Sequence, residues 1–157
     1  MELATGRAAD QREDFLAAFE TLAQAVRRAR GSTLQVHPGR LTLSQYSLLA
    51  PLSATDTARV SDLAAQAGIV PSTATRILDA LERRAIVARA RSPEDRRGVT
   101  VTLTREGRAV LRRQDEWMRG RRVAFFAGLP PDEQALVSDL LVRLAALIDD
   151  LSVGPAD

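Results

Sequence analysis

A mainly α-helical fold with one small β-hairpin is predicted by three features of the sequence. Apolar residues recur at helical spacing through most of the 157 residues. A short helix, a glycine turn and a second helix rich in Ser, Thr and Arg follow one another between residues 61 and 82. Two alternating stretches, 86–91 and 99–103, then enclose a charged segment holding Pro93 and Gly98, the pattern of a hairpin with a projecting tip. Together these describe a winged helix-turn-helix flanked by N- and C-terminal helices, with boundaries at 1–40, 41–103 and 104–157.

Each element has a local reason. Asp10 and Glu13 have the spacing of a capping box, and Phe15, Leu16, Phe19, Leu22, Ala23 and Val26 give the helix that follows one apolar face up to Gly31. Gly31, Pro38 and Gly39 mark 31–40 as a loop. Thr42 with Gln45 opens a second capping box, and Leu41, Leu43, Tyr46, Leu48, Leu49 and Leu52 supply the apolar set of a short helix that gives way over 51–57. Ser61 is placed to cap the next helix, through Leu63, Ala64 and Ala67, and Gly68 provides the turn that needs positive φ. Pro71 starts the partner helix, where its missing N–H costs nothing. Thr104 caps a long helix through Val110, Leu111, Trp117 and Met118, which ends before Gly128 to Pro131. In the last helix Leu136, Val137, Leu140, Leu141, Leu144, Leu147, Ile148 and Leu151 form an apolar stripe too broad to leave in water. It either packs on its own domain or pairs with the same region and the first helix of a second subunit.

Composition removes several function classes. There is no Cys, so disulfides, thiolate zinc sites and thiol redox sensing are absent, and the single His37 cannot assemble a His-based metal site or a catalytic triad. Neither a Gly-rich phosphate loop nor an apolar run of membrane-spanning length is present, and the N-terminus lacks the form of a secretory leader, so a soluble, cytoplasmic, non-enzymatic protein without cofactor or metal is expected. All 22 basic residues are Arg, and their distribution says more than the net charge of +2. Residues 76–122 hold 14 Arg against 7 acids, residues 1–75 balance at seven each, and 123–157 hold one Arg against six acids. One basic segment between neutral and acidic ones is the asymmetry of a nucleic-acid-binding face.

That segment contains the means to read a duplex. On the helix after Pro71, Ala74, Ile77, Leu78 and Leu81 turn inward and leave Ser72, Thr73, Thr75 and Arg76 outward over the first two turns, where a recognition helix meets base edges in the major groove. An ordinary amphipathic helix would look the same in isolation, but the charged tip that follows adds Asp95, Arg96 and Arg97. Arg suits the negative potential of the narrow minor groove, and a carboxylate two residues away can hold it extended. A winged-helix module that binds other proteins is the alternative, since the fold serves either task.

Residues 95–104 (DRRGVTVTLT) resemble the wing of MarR-type (multiple antibiotic resistance) regulators, and 72–82 (STATRILDALE) resemble their recognition helix. Residues 41–49 (LTLSQYSLL) and 129–133 (LPPDE) are similar to further family segments in the same order, so the resemblance spans roughly 10–150. It implies a homodimer that binds a double-stranded, pseudopalindromic operator, usually as a repressor relieved by a small-molecule effector. By position it implies that Ser72, Thr73, Thr75 and Arg76 read the major groove, while Arg97, steadied by Asp95, enters the minor groove. The usual effector pocket implies His37, Arg40, Tyr46, Arg113 and Trp117 as candidate lining groups, a set suited to an aromatic anion. Two positions depart from the pattern: Val70 stands where a capping Ser, Thr or Asp is usual, leaving the first-turn N–H groups to Ser72 or to a DNA phosphate, and Ala85 stands where Gly is frequent.

Overall fold

The computed structural model describes residues 2–31, 39–91 and 98–153. Helices α1 (Glu2–Gly31), α2 (Leu43–Leu49), α3 (Val60–Gln66), α4 (Pro71–Arg83), α5 (Arg105–Ala127) and α6 (Pro131–Val153) carry most of the chain. Strands β1 (Thr57–Arg59), β2 (Val87–Arg91) and β3 (Val99–Leu103) form one antiparallel sheet in the order β1-β3-β2. The chain divides into two compact units, Met1–Gln114 and Asp115–Asp157.

The first unit has a single apolar core. Leu48, Leu49, Leu63, Leu78, Leu81, Val101 and Val110 are its largest fully enclosed side chains, drawn from four helices and one strand. The winged unit is therefore held by aliphatic packing, each such side chain contributing roughly 1.5–3 kcal/mol against exposure. The Thr42 capping box forms as expected, with the Gln45 amide donating to Thr42 Oγ1 at 3.2 Å and the Thr42 amide to Gln45 Oε1 at 3.1 Å. Thr104 caps α5, accepting from the Gly107 amide at 2.9 Å. Leu48 and Leu49 are buried and a 3₁₀ turn over Ala50–Ser53 ends that segment.

Three local expectations are corrected. Asp10 and Glu13 do not open the first helix, because α1 already runs from Glu2; good helix formers on both sides of Asp10 carry it through the cap signature. Ser61 lies one residue inside α3, whose N-cap is Arg59 with no side-chain cap; the helix begins where β1 ends and needs no separate entry turn. The sheet has three strands rather than two, since Thr57–Arg59 pairs with β3 in the register Ala58 to Val101. A three-residue strand is too short to show a period of two, so only the pairing partner reveals it.

In the second unit, α6 displays Leu136, Leu140, Leu141, Val142, Leu147, Ile148 and Leu151 to solvent, and the α5 residues Trp117, Val123, Phe125 and Phe126 are exposed as well. No described side chain of this unit is buried. Two helices of this apolar content without an interior of their own have a hydrophobic surface still to cover.

Candidate nucleic-acid interface

The geometry of the α3–α4 pair follows from three residues. The Gly68 amide donates to Ala65 at 3.1 Å and the Ile69 amide to Ala64 at 3.0 Å, with Gly68 at φ 63°, so the chain leaves α3 by a tight left-handed exit. Val70 then precedes Pro71 at the first position of α4, and only its main-chain carbonyl contributes, accepting from Thr73 and Ala74 at 3.0 and 3.1 Å. No side-chain cap forms at Val70, as its chemistry requires. Ala74, Leu78 and Leu81 are fully buried, which fixes the helix face turned outward.

On that outer face Ser72, Thr75 and Arg76 are exposed and Thr73 is half-buried. The face stands as a ridge between two clefts. Thr73 and Arg76 line one, of about 540 Å³, together with Arg30, Gly31, Thr42, Ser44, Gln45, Ile77 and Ala80.

 The second cleft, of about 370 Å³, is lined by Arg59, Val60, Ser61, Pro71, Thr75, Arg89, Gly98 and Val99.

The sheet is fastened to α4 by Arg89 on β2. Its Nη2 donates to Asp79 Oδ1 at 2.5 Å and to the Thr75 carbonyl at 3.2 Å, and its Nε lies 3.6 Å from Glu82 Oε2. The other end of α4 is tied by Arg84, which donates to the Arg40 carbonyl at 2.9 Å and to Gln45 at 3.4 Å. Ala85 follows at φ 53°, so the departure from Gly noted in the sequence falls at a residue that does adopt the left-handed region.

The structure brings Thr73 and Arg76 to one cleft and Thr75 to the other, with Ser72 exposed on the ridge. Asp95, Arg96 and Arg97 lie outside the described residues; the flanking strand ends pair Arg91 with Val99. Of the effector candidates, His37 also lies outside them. Tyr46 is half-buried against the core, Arg40 is exposed, Arg113 is exposed and 3.3 Å from Glu106, and Trp117, in the second unit, is half exposed. None of these four lines either cleft beside α4. Sequence reasoning missed Arg89, Asp79 and Glu82; the i, i+3 pair of acids on α4 was the available signal.

A family model described as the MarR family matches residues 41–99, which include α2, α3, α4 and β2. The transcriptional regulator FarR of Neisseria gonorrhoeae, described as HTH-type, is 31% identical over 117 residues, covering 74% of this chain and 80% of FarR. This chain belongs to the MarR family. As a MarR-family chain it is an HTH-type transcriptional regulator with a winged-helix fold. The repressor CouR, solved on a 23-mer DNA duplex, is similar at 32% identity with a TM-score of 0.64, over 80% of this chain and 89% of CouR. The Streptomyces coelicolor regulator PcaV, solved with its natural ligand, is similar at 29% identity with a TM-score of 0.63, over 82% of this chain and 89% of PcaV. Among the described residues no helix is long and apolar enough to cross a membrane.

Proposed function

We propose that this MarR-family regulator is a cytoplasmic homodimer that binds a pseudopalindromic operator as a repressor and is released by a small-molecule effector. The observation that carries the reading is the outward Ser72, Thr73, Thr75 and Arg76 face of α4, standing between two clefts within the family-matched segment. Hydroxyls and a guanidinium at that place suit base edges in the major groove. Arg97, with Asp95 beside it in sequence and Arg96 between them, suits the minor groove. CouR on its duplex supports the DNA partner and the repressor role, and PcaV with its ligand supports an effector.

The dimer rests on surface physics. The exposed apolar residues of α6, with Phe15, Leu16, Leu22 and Val26 exposed on α1, are the material of a two-fold interface, and a reader of two half-sites needs such a partner. In this reading 1–40 and 104–157 dimerise and 41–103 bind DNA, while His37, Arg40, Tyr46, Arg113 and Trp117 are candidates for an effector site that favours an aromatic anion. The test is titration of random-sequence duplex at low salt, followed by selection of bound genomic fragments and a screen of aromatic acids for release. Binding that weakens steeply with salt is expected, and no binding even in dilute buffer overturns the reading.

A further inference from the structure

We propose that Arg89 is a positioning residue, a clamp that sets the angle between the recognition helix and the wing sheet. The inference rests on the DNA-binding reading above and goes beyond it, because Arg89 touches no base in the proposal. Its side chain is 19% exposed, while those of Asp79 and Glu82 are 47% and 46% exposed, so the guanidinium sits beneath two carboxylates rather than at the surface. Its Nη2 is shared between Asp79 and the Thr75 carbonyl, and its Nε is buried without a hydrogen-bond partner. A buried donor left short in this way is tolerated where the rest of the group is held by stronger contacts.

The contacts span residues 75 to 82, two turns of α4, while the stem of Arg89 is anchored in a strand whose partner is Val101, fully buried. Thr75 is both a candidate base reader, through its side chain, and a clamped residue, through its carbonyl. Its hydroxyl also donates to the Pro71 carbonyl at 3.0 Å. Moving β2 relative to α4 breaks the fork, so helix and wing enter adjacent grooves as one piece. With two acids facing it, Arg89 has its charge already answered and is not the free cation a phosphate contact requires.

The test compares duplexes selected with the wild-type protein against random-sequence duplex. The double variant Asp79→Asn with Arg89→Gln keeps the net charge and removes the clamp. The preference for selected over random duplex is expected to fall at least tenfold, with random-duplex affinity at low salt unchanged. Arg89→Lys, which keeps the charge without the fork, is expected to lose most of the same preference. An unaltered preference in the double variant, or full recovery with Lys, overturns the proposal. If the wild-type protein binds no duplex, the DNA-binding reading fails on its own, and amide hydrogen exchange then decides the clamp. Exchange over residues 75–82 at least fivefold faster in the double variant supports it, and unchanged exchange overturns it.

Discussion

Gly107, in the first turn of α5, lies directly against the main chain of Ile86: a Cβ built on it would overlap the Ile86 carbonyl oxygen and sit 2.9 Å from the carbonyl carbon. The same carbonyl accepts from the Thr104 amide at 3.0 Å, so the start of α5 is pinned to the segment between α4 and β2. Gly107→Ala is expected to destabilise the first unit by about 3 kcal/mol despite the better helix propensity of Ala, because backbone must shift rather than a side chain. Urea denaturation measures it, and an unchanged midpoint would show that the close approach carries no constraint.

Ala85, two residues before β2, occupies positive φ at 53°. Relieving that strain in Ala85→Gly is expected to raise stability by about 1 kcal/mol. A lower thermal midpoint in the variant would contradict the assignment of strain to this residue.

Arg76→Ala is expected to relax preference at one base position by roughly 1–3 kcal/mol, since Arg76 is exposed on the outer face of α4. The measurement is a binding series over single-base variants of a selected site. Uniform loss across the series would make Arg76 a phosphate contact instead.

Arg97→Ala is expected to weaken binding of the selected duplex at least tenfold, about 1.4 kcal/mol or more, with the dimer intact. Equal affinity in a titration would remove the wing arginine from the mechanism.

Leu141 is 58% exposed on α6, so a charge there should spare the fold of the single chain and oppose burial in a dimer. Leu141→Glu is expected to shift sedimentation from dimer toward monomer at micromolar concentration. A dimer of unchanged stability would place the interface elsewhere.

Local chemistry by itself determined most of the elements. The Thr42 and Gln45 capping box, the Gly68 turn, Pro71 at the head of α4, Thr104 at the head of α5 and the inward set Ala74, Leu78 and Leu81 are all short-range effects, written within a few residues of where they act. The outward Ser72, Thr75 and Arg76 follow from the same periodicity. Only the tertiary structure decided what depends on residues far apart in the chain. β1 exists because β3 is there to pair with it, Gly107 matters because Ile86 lies against it, and Arg89 becomes a clamp because the fold carries it beneath Asp79 and Glu82. A hydrogen bond or a close approach between distant residues has no local pattern to announce it, so it is specified by packing and not by spacing.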